Sequence, residues 1–184
     1  MLKQESSLTG KHILFAVSGG NAVWQSVETV TRLKQAGADV HVVMTASALK
    51  FLSPVSFQRA SGNKVETDMW EKLTEMSSSH IPLSKLADIA IIAPATGNII
   101  SKLSCAIADD TLTTMLLACE SPIFIAPCMN PVMYKNPIMQ ENILRLKKYD
   151  THYKFIEPDE DKKKGKILPP QDIIDEIEKY CLTI

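Results

Sequence analysis

A chain of 184 residues and 20.4 kDa has room for one α/β-sized core and little for a second. Apolar residues make up 45% and charged residues 22%, which excludes a chain that stays disordered. With 20 Lys and Arg against 21 Asp and Glu, no global field draws the protein to phosphate backbones or anionic lipid, so neither nucleic acid nor a membrane is expected as a partner. The first ten residues, MLKQESSLTG, are too polar for a secretory signal, and no run approaches the ~20 apolar residues of a span. The expectation is a cytoplasmic protein with a polar tail over 1–10 and a single domain over 11–184. Cys105, Cys119, Cys128 and Cys181 are irregularly spaced, which fits neither a disulfide framework nor tetrahedral zinc.

Short apolar runs rich in β-branched residues alternate with segments of helical period. This pattern predicts a parallel sheet covered on both faces, because strands that meet no water read as continuous apolar stretches. The strand runs are His12 to Val17, Val40 to Met44, Ile89 to Ala93, Ile123 to Ala126 and Tyr153 to Ile156, with a short extra strand near Lys64 to Glu66. Between the first two, Val23, Val27, Val30 and Leu33 recur at helical spacing before Gly37, which predicts a crossover helix. Asn98 to Leu117 predicts two helices broken near Asp109 and Asp110. Pro137 and Pro170 each suit the first residue of a helix, the former running through Leu146 and the latter leading into Ile173 to Tyr180. Met69 to Ser79 reads as an exposed loop or a poorly ordered helix end.

In an open parallel sheet, ligands bind beyond the carboxyl ends of the strands at a topological switch point. Ser18-Gly19-Gly20 follows the first strand and opens a helix, a position where backbone N–H groups and the positive helix end hold phosphate; a plain tight βα turn is the alternative. Neither G-x-G-x-x-G nor a Walker loop is present. Thr45 and Ser47 add hydroxyls to the same anion site or serve as N-caps. Pro94 to Asn98 suits a flat heteroaromatic ligand, or a capped helix start with Asn98 as cap. Pro127 to Met133 joins two stiffening prolines to one amide and two thioethers, fixing Asn130, and packing alone is its other reading. Of the four histidines, His80 is best placed for acid/base work, against a surface or capping role; His12, His41 and His152 read as structural or solvated. Lys162 to Lys164 reads as solvated, and no Asp/Glu/His set has metal-ligand spacing.

Taken together, the segments VSGGNA, GADVHVVMT, FLSPVSFQ, HIPLSKLADIAIIAPATGNIISKLSCAIADD, PCMNPVMYKNPIMQENI and IEPDE resemble the flavin-containing cysteine decarboxylases. That family includes phosphopantothenoylcysteine decarboxylase and the peptide-cysteine decarboxylases of lantibiotic-type biosynthesis. Pro94 to Ile99 matches the family's P-A-S-A-N-T, with Gly97 for Ala and Ile99 for Thr, and Pro127 to Tyr134 matches P-x-M-N-x-x-M-W, with Tyr134 for Trp.

The resemblance implies a Rossmann-like three-layer sandwich with an open parallel sheet that binds FMN. The phosphate would lie near Ser18, Gly19, Gly20, Thr45 and Ser47, and the isoalloxazine near Ala95, Thr96 and Asn98, with Phe57 and Met129 as further ring contacts. His80 and Asn130 match the family's catalytic His and Asn, and Asn130 with Met133 would meet the substrate, a small-molecule or peptidyl cysteine. It also implies a homotrimer, in some members a dodecamer. One departure is plain: EPDEDKKKGKILPP lacks the A-C-G and later G-x-G of the phosphopantothenoylcysteine enzymes, so the substrate clamp and its cysteine are missing. The enzyme would then either stop at the oxidised ene-thiol or serve a different thiol substrate, with Cys128 as an alternative acid. A regulatory or assembly flavoprotein without turnover is the second reading. A prenyl-FMN-type transferase is a third, against which the His80 and Asn130 motifs speak.

Overall fold

The computed structural model describes residues 6–68, 80–158 and 165–183. Five parallel strands form one sheet: β1 (His12–Val17), β2 (Asp39–Met44), β3 (Ile89–Ala95), β4 (Ile123–Pro127) and β5 (Tyr153–Phe155), in the order β2-β1-β3-β4-β5. The register sets Phe15 beside Val42 on one side and Ile91 on the other, so the apolar runs stack across the sheet. Every residue of β3 and β4 is buried, which is why these strands carry no polar alternation. The chain reverses its strand order between β1 and β3, and that gap is the switch point.

Helices cover both faces. Odd-numbered β1 residues Ile13, Phe15 and Val17 pack with α1 (Val23–Gln35), α2 (Pro54–Ser61) and α8 (Pro170–Cys181), through Val30, Leu33, Phe57, Ile173 and Ile177. Leu14 and Ala16 face the other layer, α3 (His80–Leu86), α4 (Gly97–Ser104), α5 (Thr111–Leu117) and α7 (Pro137–Lys147), through Ile99, Ile100, Leu112, Leu116 and Ile143. The one-turn helix α6 (Pro131–Tyr134) precedes α7. Each fully buried branched side chain contributes about 1.5–3 kcal/mol relative to exposure, so the strand runs themselves dictate the three layers. None of the described helices is long and apolar enough to cross a membrane.

Several expectations need correction. The extra strand near Lys64 to Glu66 is a single parallel bridge from Glu66 to Val43, closed by Glu66 N–H to Val42 O at 2.8 Å and Met44 N–H to Glu66 O at 2.9 Å. The N-cap of α4 is Thr96, not Asn98, which lies inside the first turn. The N-terminal residues are anchored from Ser6 onward: Leu8 is fully buried in the α1/α8 layer, and Ser6 Oγ donates to Glu178. The segment α2 showed too little apolar period to be read as a helix, since only Phe57 and Ser61 of it are buried. The reading of Met69 to Ser79 lies outside the described residues.

Candidate functional site

A cleft of about 990 Å³ opens over the carboxyl ends of β1, β3 and β4. It forms because three strand ends are stitched together below it. Ser18, at the end of β1, donates its hydroxyl to Pro94 O at 2.7 Å and accepts Thr96 N–H at 3.0 Å. Ser26 of α1 donates to Ala93 O at 2.7 Å, and Cys128 N–H reaches Ala95 O at 2.8 Å. The Ser18 hydroxyl thus spends its only proton inside the protein, where it holds β1 against β3, and the residue is 2% exposed.

The β1–α1 turn forms one wall. A Cβ on Gly19 would stand 2.5 Å from Ser47 Cβ and 2.7 Å from the Ser47 carbonyl carbon, so only glycine lets this turn meet the loop after β2. The helix α1 then starts with neither a side-chain cap nor an acid in its first turn, which leaves its positive end facing the cleft uncompensated. The Thr45 hydroxyl accepts Ala48 N–H at 3.2 Å, and Ser47 makes no capping bond, so both have protons to offer. Deeper in, Gln25 Oε1 is buried without a hydrogen-bond donor among the described residues. Such an orphaned acceptor costs about 1–3 kcal/mol unless a ligand supplies an N–H or O–H.

The opposite wall is α4 and the loop after β4. Thr96 caps α4 without a side-chain capping bond, its hydroxyl hydrogen-bonded to Ser18 Oγ at 3.1 Å, Asn98 is exposed at the mouth, and Lys102 is held by Asp109 at 2.6 Å and Asp110 at 3.3 Å. The Asp109 carboxylate beside it raises the Lys102 pKa above its ordinary value, so the ammonium stays charged. Asn130 is the N-cap of α6: its Oδ1 accepts Val132 N–H at 2.8 Å. That bond fixes the amide's orientation and leaves both Nδ2 protons without a partner among the described residues, beside the cleft. Burial pushes the neighbouring Cys128 thiol up, keeping it protonated at neutral pH. Met129 and Met133 line the cleft with polarisable thioethers suited to a flat ring.

Of the expected site residues, Ser18, Gly19, Gly20, Thr45, Ser47, Thr96, Asn98, Met129, Asn130 and Met133 line this one cleft. Two do not: Ala95 is fully buried at the end of β3, and Phe57 is fully buried in the α1/α2 layer, packed by the same force that holds α2 on the sheet. The exposed ring at the cleft is Phe51, in the turn after β2. The His80 backbone opens α3, and its side chain lies outside the described residues. Sequence reasoning passed over Gln25, Lys102, Asp110 and Gly165 to Ile167. Lys102 had a legible signal, an i,i+4 neighbour of Asn98 on a helix that starts at a strand mouth. Gly165 had none; it approaches because Met129 N–H bonds Gly165 O at 2.7 Å.

Fold and cleft define a doubly wound, Rossmann-like α/β protein whose cavity lies at the β1/β3 switch point. The chain belongs to the Flavoprotein family, whose model matches residues 1–182. It is 43% identical over 179 residues to the Coenzyme A biosynthesis bifunctional protein CoaBC of Bacillus subtilis, covering 94% of this chain and 44% of that protein. The chain thus spans less than half the length of the curated relatives it matches. Among solved structures, the FMN-dependent cysteine decarboxylase SpaF superposes with a TM-score of 0.81 at 28% identity, covering 95% of this chain and 99% of SpaF. A PPC decarboxylase variant superposes at 0.80 and 25% identity, again covering 95% and 99%.

Proposed function

We propose that this chain is an FMN-dependent decarboxylase of a cysteine-derived thiol carboxylate, either phosphopantothenoylcysteine or a C-terminal peptidyl cysteine. The observation that carries this reading is Asn130: it lines the switch-point cleft, and its carboxamide is locked by its own helix cap with its N–H donors unpaired among the described residues. The cleft also suits the cofactor. In the flavodoxin-like strand order 2-1-3-4-5, ligands lie at the β1/β3 switch point, FMN among them. The uncapped start of α1 with Thr45 and Ser47 would hold the phosphate, and Gln25 Oε1 would accept a donor from the cofactor.

Bound FMN would supply a hydride acceptor for the carbon bearing sulfur, giving a thioaldehyde that delocalises the electrons released with carbon dioxide. The protein has the remaining tasks. Asn130 Nδ2 would donate to the substrate carboxylate and hold its C–C bond in one orientation, and His80 would take the thiol proton. Cys128, kept as a neutral thiol by burial, is no base and has the ionisation state of a proton donor.

The test is to incubate flavin-loaded protein with each reduced thiol substrate and weigh the product. A loss of about 46 Da, carbon dioxide plus two hydrogens, supports an ene-thiol product; a loss of about 44 Da means the product was reduced again. Failure of the chain to take up FMN saturably overturns the proposal. Saturable uptake without turnover on either substrate replaces it with a flavin-binding regulatory role.

A further inference from the structure

The amino end of the sheet, remote from the cleft, carries a second constellation. β1 and β2 pair in a register that puts His12 opposite Asp39. His41, two residues on, shares the Asp39 face of β2, since strand side chains alternate. His12 Nδ1 and His41 Nε2 each lie 3.2 Å from the same atom, Asp39 Oδ2, and all three ligand atoms fall within 4.8 Å of one another. The other carboxylate oxygen, Oδ1, accepts Asn63 Nδ2 at 2.9 Å, and the same amide nitrogen reaches Val40 O at 2.9 Å. The carboxylate is therefore aimed: one oxygen is fixed by the loop after α2 and the other turned toward two imidazoles.

Both 3.2 Å separations admit an N–H···O bond from an imidazole, and they also suit a set of ligands around one ion. Ligand atoms around a tetrahedral ion with bonds of about 2.0–2.1 Å stand roughly 3.3 Å apart, which 3.2 Å approaches. Two imidazoles and one carboxylate form a borderline donor set, matched to zinc and unlike the all-oxygen cages of calcium or magnesium. The side chains are 48%, 40% and 27% exposed for His12, Asp39 and His41, so an ion can enter and a water can complete its shell.

We propose that His12, Asp39 and His41 form a binding site for a zinc-class divalent transition-metal ion, with three protein ligands and a fourth position open to water. Its consequence is structural: the ion clips the edge strand β2 to β1, and Asn63 acts as a positioning residue behind the carboxylate. Sequence spacing concealed the site because only strand pairing brings residue 12 to residues 39 and 41.

Zinc chloride titrated into the whole 184-residue, thiol-reduced chain against a chromogenic chelator tests the site. One equivalent should bind per chain, with only nitrogen and oxygen scatterers near 2.0–2.1 Å by X-ray absorption and a zinc-dependent rise in Tm. Uptake should be lost in Asp39→Asn and in the His12→Gln, His41→Gln double variant, and should weaken about 10–100-fold in Asn63→Ala. His12→Gln alone, at a half-exposed strand end, serves if the other variants fail to fold. No uptake, sulfur scatterers, or equal uptake by wild type and folded variants overturns the proposal. None of these readouts involves flavin or turnover.

Discussion

Asn130 combines two tasks that a single substitution separates. Asn130→Asp retains an oxygen to accept Val132 N–H, so α6 keeps its cap, but it replaces the two free N–H donors by a negative charge facing the cleft. Turnover of the proposed thiol carboxylate should fall by at least ~10²-fold while Tm moves little, measured by steady-state assay and thermal melt. Ser18→Ala should do the reverse. It strands Pro94 O and Thr96 N–H beneath the cleft floor, which costs about 1–3 kcal/mol in urea unfolding, more than an exposed phosphate contact would. Gly19→Ala meets Ser47 at 2.5 Å and must displace the turn; FMN uptake, followed by flavin absorbance, should drop with stability. Uptake at wild-type affinity in Gly19→Ala would show that this turn does not shape the cofactor site.

At the scale of elements, what the sequence disclosed follows from how each element is stabilised. The strands were legible because burial on both faces forces an unbroken apolar run, as in Ile89 to Ala93, and the crossover helix because Val23, Val30 and Leu33 share one buried stripe. The break between α4 and α5 was legible at Asp109 and Asp110, since Asp110 is the cap: its carboxylate accepts Thr113 N–H at 2.8 Å while Thr113 Oγ1 accepts Asp110 N–H at 3.1 Å. What escaped depends on tertiary contact. Phe51 and Phe57 lie six residues apart with similar neighbours, and only the packing of α2 decides that Phe57 is buried and Phe51 meets the cleft. Ser18 lines the cleft, but its internal bonds to β3 carry no local signature. Asp110→Ala should cost about 0.5–2 kcal/mol in urea unfolding through the lost cap. Asp109→Asn, which loses only an exposed partner of Lys102, should change the unfolding midpoint immeasurably.

For the whole molecule, stability against pH is set by groups whose proton affinity changes on folding. His152 stands just before β5, its ring edge-on to Tyr153 with centroids 4.6 Å apart and its carbonyl accepting Ile123 N–H at 2.7 Å. Burial lowers its pKa below the ordinary 6.5, because the imidazolium would lose water without gaining a partner. The unfolded chain therefore binds this proton more readily than the folded one. Full stability holds above about pH 6.5 and falls as the pH drops below that value toward the depressed folded pKa. Asp39, held below its ordinary 3.8 chiefly by the Asn63 amide, acts with the same sign but at lower pH, losing its contribution only under more acidic conditions. The two windows can be separated. His152→Phe keeps a ring against Tyr153 but cannot take a proton, so its Tm should decline less than that of wild type between pH 6.5 and 5, and the two curves should run parallel above pH 7. Identical declines in that interval would mean that the ring at the β5 edge is solvated in both states, and that the acid sensitivity of the sheet arises elsewhere.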